Sequence, residues 1–237
     1  MGFWSGVCSF VSSACRTVCS AIGSVGRGAL SLIKGCAIGV GTIVGGIWGG
    51  IGRMLGVLNP QEQPEEIGER AIQGEEQGIK PEQFKTNKEY IQALRDKVKF
   101  DREKFNKLSE EEMHERRMLG TKITAKGIEE HLEIAPIPNN FLVTTGLLGL
   151  SVGQTLKLLE TSKEKKVSLD DITDYLKERC KGEKLKGADD AIKTAISADN
   201  PSLTQEQLNQ FVKEAQGKLR NEELNIPEEE EEKIEEK

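Results

Sequence analysis

Cys8, Cys15 and Cys19 fall on one face of a helix wound at about 100° per residue. Tight packing of small side chains is the expected use of such a face, and attachment of fatty acyl chains to thiols beside apolar residues is the alternative. Cys36 and Cys180 bring the count to five, an odd number with no CxxC or Cys/His zinc spacing. That is a poor disulfide framework, so reduced thiols and a cytoplasmic face are expected. His114 follows Glu110 and Glu111, but no second histidine stands at helical spacing and no cysteine is near, so a solvated histidine is expected over a metal ligand. His131 is isolated among glutamates. There is no G-x-S-x-G, no P-loop and no dinucleotide fingerprint, and we expect neither an enzyme nor a cofactor.

The elements that must position these residues divide sharply along the chain. Residues 1–58 contain four basic residues (Arg16, Arg27, Lys34, Arg53), no Asp or Glu, and 14 of the 25 glycines. The remainder therefore carries −10 against an overall −6. A basic patch interleaved with aromatic residues is missing, which argues against nucleic acid as a partner. The start MGFWSG puts Gly6 where myristoylation needs Ser or Thr, and no basic n-region precedes the apolar run, so neither myristoylation nor a conventional secretory signal is expected.

Seven of the fourteen residues in GVGTIVGGIWGGIG (39–52) are glycine and most of the rest are bulky and apolar. Each interior glycine disfavours a helix in water by about 1 kcal/mol relative to Ala. Wound as a helix, residues 35–58 separate by size: Gly35, Gly39, Gly41, Gly45, Gly46, Gly49, Gly50, Gly52 and Gly56 on one half, and Cys36, Val40, Ile43, Val44, Ile47, Trp48, Ile51, Met54, Leu55 and Leu58 on the other. In lipid the large face would meet acyl chains while the glycine face would admit another helix backbone. The steps Gly41, Gly45, Gly49 resemble a glycine zipper. Eighteen residues, 35–52, lack any charge, and about twenty are needed to cross the hydrocarbon. Residues 2–26, with Phe3, Trp4 and Phe10 suited to an interface, read as a weaker second membrane-associated helix, either lying flat on the surface or crossing it, with the first arm of a hairpin turning near 26–28 as one arrangement.

Residues 59–85, rich in Pro, Gly, Gln and Glu, read as a polar linker. Residues 86–133 read as charged amphipathic helices, capped at Thr86 with Glu89 and at Ser109 with Glu112, with a third short helix over 124–132. Residues 141–156 are uncharged but short, so a buried helix is preferred to a membrane span. Within the C-terminal domain, 134–219, VSLDDITDYLKE from Val167 aligns with LTQEQLNQFVKE from Leu203, 36 residues later. Such a repeat implies two copies of one helix–loop–helix unit sharing a core.

Over residues 150–219 the repeat resembles a paired EF-hand. The resemblance assigns oxygen ligands for calcium in the first loop to Glu160, Ser162, Glu164, Ser168 and Asp171, but Lys165 stands where the loop needs its turn glycine. The second loop places Ile196 and Ala198 at ligand positions, so a metal-free helical pair is preferred. Residues 220–237 form an acidic tail expected to be disordered, similar to the translocation signals of some type IV secreted bacterial effectors.

The whole reads as all-α, with a membrane helix or helical hairpin at its head. The expected role is a non-enzymatic membrane-anchored protein that self-associates through the glycine face and presents a cytoplasmic helical domain to an unidentified protein partner. A membrane-disrupting toxin or translocated effector is the alternative, and a virion or secretion-apparatus component packed without lipid is a third.

Overall fold

The structure, a computed structural model, describes residues 15, 16, 18, 19 and 23–220. Among them are eleven α-helices, a 3-10 turn at Pro81–Gln83 and no strand, so the chain is all-α. The helices are α1 Gly23–Gly35, α2 Ile38–Met54, α3 Pro64–Glu76, α4 Asn87–Lys97, α5 Arg102–Phe105, α6 Glu110–Leu132, α7 Asn139–Leu148, α8 Val152–Lys165, α9 Leu169–Leu176, α10 Glu183–Asp199 and α11 Gln205–Arg220.

α6 is the post around which the first half is built. Ser109 Oγ accepts the Glu112 N–H at 3.2 Å and Glu112 Oε2 accepts the Ser109 N–H at 2.9 Å, a capping box that satisfies two orphan donors. Glu110, Glu111 and Glu112 also lie at the positive end of the helix dipole. The helix runs 23 residues to Glu133, which turns left-handed at φ 52. The separate helix expected over 124–132 is therefore the last part of α6. Packing of α1, α2, α3 and α4 around it keeps the whole length helical.

The stretch expected as a linker contains α3, which packs lengthwise on α6. Its proline starts the helix at N1, where the missing N–H goes unmissed, and Gln63 with Glu66 closes a capping box. Its glycine makes the crossing possible. A β-carbon on Gly68 would lie 2.0 Å from the Arg116 carbonyl oxygen, and one on Gly120 would lie 1.7 Å from that of Pro64. Pro and Gly, which suggested a loop, here begin a helix and let two backbones touch.

α2 sits in the middle of the fold, against α6 and α3 on one side and α7 and α8 on the other. No helix among the described residues is long and apolar enough to cross a membrane. The segment expected to span lipid is instead core. Much of its large face, expected to meet acyl chains, is covered by α7, though Ile43 and Met54 stay exposed: Trp48 is fully buried, lies edge-on to Phe141 with ring centroids 6.2 Å apart, and donates from Nε1 to Thr145 Oγ1 at 3.2 Å. Residues 26–28, where a hairpin turn was expected, lie inside α1, and the break comes at Cys36 and Ala37. A β-carbon on Gly26 would meet the Cys19 carbonyl oxygen at 1.8 Å, so α1 is crossed there by the preceding chain.

The apolar run 141–156 is two helices, α7 and α8, separated at Gly149, whose φ of 68° favours glycine. α8 packs on α10, and α9, α10 and α11 pack on one another. The repeat is visible in the helix starts: α9 begins at Leu169 behind Ser168 and α11 at Gln205 behind Thr204, the two hydroxyls accepting N–H groups at 3.0 and 3.3 Å. One cluster of buried apolar residues extends from Cys15 to Leu219. The acidic tail lies outside the described residues.

Candidate functional site

The nine glycines expected to form a packing face occupy three different environments. The first group is pressed against the chain's own helices: a β-carbon on Gly41 would stand 2.5 Å from His114 Cε1, on Gly45 2.7 Å from Arg117 Cδ, on Gly49 2.9 Å from Pro64 Cδ, and on Gly52 2.5 Å from Thr124 Cγ2. Gly50 makes the same kind of approach to Val152 Cγ2 on α8, at 2.5 Å. The face expected to receive another copy of the helix is thus largely filled by α6 and α3. The second group, Gly39 and Gly46, has nothing within 4 Å. The third lies outside α2: Gly35 ends α1, and Gly56, with φ 70°, turns the chain after α2 so that Val57 and Leu58 N–H groups reach the Gly52 carbonyl at 2.8 and 3.0 Å.

Gly39 and Gly46 lie on a stripe with Ile43 and Met54, at steps of four, three and eight residues. Ile43 is 49 % exposed and Met54 61 %, two of the three exposed large hydrophobic side chains among the described residues. At the margin of this stripe Arg117 donates to Thr42 Oγ1 at 3.2 Å and pairs with Glu65 at 3.5 Å.

Beneath the stripe, at the elbow between α1 and α2, lies His114. Its ring is buried and neither ring nitrogen has a hydrogen-bond partner. Burial and then the neighbouring Arg117 charge push its pKa down to about 4, although the carbonyls of Ile33 and Cys36 at the end of α1 favour the charged form. One turn away the charges are paired: Arg116 donates to Glu69 at 3.0 Å and Glu115 at 2.9 Å, all three side chains being under 8 % exposed. Lys122 donates to Asn139 Oδ1 at 3.0 Å, and Asn139 Nδ2 donates to the Gly28 carbonyl at 2.9 Å, tying α6, α7 and α1 together.

Cys15 and Cys19 are buried with their sulfurs 3.8 Å apart, so neither presents a thiol for acylation. The hydrogen bond to Cys19, followed by burial, raises the Cys15 pKa, and burial pushes Cys36 up to about 12, which keeps these groups as unreactive thiols. Cys8 lies outside the described residues. Cys180 is half-buried.

The five calcium candidates are not brought together. α8 continues to Lys165, so Glu160, Ser162 and Glu164 lie on a helix instead of in a loop, and only Lys166 to Ser168 separate α8 from α9. Glu160 pairs with Lys157 at 3.3 Å, Ser162 Oγ donates to the Val167 carbonyl at 2.6 Å, Ser168 caps α9, and Asp171 pairs with Lys184 at 2.9 Å. Lys184 first lowers the Asp171 pKa, as a bound cation would have done. A three-residue turn with Lys166 left-handed at φ 55° closes the link that a twelve-residue ion loop would have occupied. No group of three or more metal-ligating side chains occurs among the described residues.

Sequence reasoning weighed His114 only as a metal ligand and missed its burial, and it passed over the Glu69–Arg116–Glu115 cluster and the Gly68–Gly120 contact. For the glycines a signal existed, since a lone glycine within a helical pattern often marks a close approach. Compared with protein-family models, curated proteins and solved structures, the chain has no match.

Proposed function

We propose that this is a non-enzymatic helical protein that associates with itself and with a lipid surface through its glycine-rich N-terminal helices, while the acidic C-terminal helices bind a protein partner on the cytoplasmic side. The observation that carries the reading is the charge-free stripe Gly39, Ile43, Gly46, Met54, where two open glycines alternate with two exposed large side chains. Small residues beside large ones allow two such helices to approach closely, and the same stripe suits the boundary between headgroups and acyl chains. Contact with lipid in this folded state is peripheral, along the helix and not across the bilayer. The free thiols suit a reducing compartment.

Sedimentation of the full chain tests self-association. The wild type is expected as a dimer or larger and Gly39→Leu with Gly46→Leu as a monomer; a monomeric wild type refutes it. Flotation with phospholipid vesicles tests the lipid contact, which fails if the protein stays at the bottom of the gradient.

Membrane permeabilisation is a second reading, favoured by the polar seats of an otherwise apolar helix, since α2 rests on His114, Arg117 and Thr124. Release of a trapped dye from the same vesicles supports this reading against a passive anchor.

A further inference from the structure

We infer that His114 is a proton-operated latch: uncharged, its ring fills the space Gly41 leaves at the elbow of α1 and α2, and a proton on it loosens that elbow from α6. For its purpose the inference rests on the proposed role of these helices, but its test involves no lipid.

The geometry leaves the imidazole no room and no acceptor in hydrogen-bonding geometry. It is 5 % exposed, its Cε1 is 2.5 Å from the position a Gly41 β-carbon would take, and Met118 Cε lies 3.3 Å from that same position. Both nitrogens are shut away from water and neither makes a hydrogen bond, and the Ile33 and Cys36 carbonyls offset only part of what burial and Arg117 cost a charge there. On its own helix the charge acting on it is Arg117, while Glu115 and Arg116 are engaged with each other and with Glu69. From α1 the Ile33 and Cys36 carbonyls approach, and the titratable side chains at that end are Lys34 and Cys36. From α2 comes Gly41, and no titratable side chain occurs on that helix before Arg53. No carboxylate is among the groups acting on the ring.

The folded value of about 4 lies below the ordinary 6.5, so the opened elbow takes the proton first. The docked state keeps its full advantage above about pH 6.5 and loses it as the pH falls, the loss levelling off near pH 4. Between pH 7.5 and 5.0 the docked-to-open ratio should fall about 30-fold.

Hydrogen exchange of the full chain at those two pH values, corrected for intrinsic chemistry, reads this ratio. In the wild type, peptides from α1 and α2 should lose about 30-fold more protection than peptides from α10 and α11. His114→Gln should abolish most of the difference. An equal loss in the variant, or a loss spread evenly over α8 to α11, overturns the latch. If His114→Gln fails to fold, the titration of the His114 ring by NMR in the wild type decides: a midpoint below pH 5 supports the inference, and one at or above 6.5 overturns it. A working latch with no vesicle binding would refute the lipid role alone.

Discussion

Replacing Gly120 with alanine should weaken the fold more than its one added methyl suggests. The new β-carbon would stand 1.7 Å from the Pro64 carbonyl oxygen, 2.5 Å from its carbon and 2.9 Å from the Gly68 nitrogen. A close carbon–oxygen contact is about 3.3 Å, so α3 and α6 must separate by roughly 1.6 Å. No rotamer relieves this, because the obstacle is backbone. A gap of 0.5–1 Å already forfeits about a quarter to a half of each dispersion contact across it, and Ile67 and Ala71, both fully buried on α3, lie beside the gap. The 3.0 Å bond from Arg116 to Glu69 spans the same crossing and would lengthen with it. Overpacking ordinarily costs about 1–3 kcal/mol and occasionally more, and a clash this deep against main chain belongs above that range, at about 4 kcal/mol. Against this stands a helix-propensity gain of about 1 kcal/mol. The net loss should be about 3 kcal/mol, or a fall in Tm of about 6–12 °C for a chain of this length. Gly217→Ala, with nothing within 4 Å, is the control and should raise stability by up to about 1 kcal/mol. Thermal and urea unfolding measure both. A Gly120→Ala protein as stable as the wild type would refute the backbone contact.

Arg116→Met removes the cation shared by Glu69 and Glu115 and should destabilise by about 3–5 kcal/mol in urea; adding Glu69→Gln should recover part of the loss. Thr145→Val leaves the Trp48 indole N–H unpaired and should cost about 1–3 kcal/mol, measured by the same unfolding curves. Among Cys15, Cys19, Cys36 and Cys180, only Cys180 should react promptly with a maleimide in the native protein, and all four after unfolding; mass spectrometry of the labelled peptides would reveal early labelling of Cys15 or Cys19.

Several helix starts were readable from their caps, although the Ser151 and Gln154 box that opens α8 went unread. Thr86 and Glu89, Ser109 and Glu112, and the hydroxyls of Ser168 and Thr204 all begin helices where their spacing says they should, because capping is a local exchange of hydrogen bonds. α3 was not readable, because Pro64 and Gly68 carry opposite meanings in a loop and at a helix crossing, and only the partner backbone at Arg116 decides between them. The length of the first loop was misread for a related reason: the repeat preserves caps and apolar positions, which two helices joined by three residues satisfy as well as a twelve-residue loop does. His114 could not be weighed from sequence, since its importance comes from Gly41, 73 positions away, and from a burial that its charged neighbours conceal.

Sorting of residues by size along α2 was plain in the chain, but the solvent that rewards it was not. A helix apolar on every side is stable either in lipid or in a protein core, and periodicity cannot separate the two. Seven of the seventeen residues of α2 are glycine, so in isolation the helix stands about 7 kcal/mol below an alanine equivalent. It exists because α6, α3, α7 and α8 supply contacts and exclude water from its backbone. Any replacement host must do the same, and lipid qualifies because an unpaired amide there costs several kcal/mol. A peptide of residues 37–58 should therefore show no helix by circular dichroism in buffer and become helical when phospholipid vesicles are added. Helix in buffer alone would mean that α2 needs no host. A coil in both media would leave the folded body as its one host of the two, and an elbow loosened at His114 would release α2 into no second medium.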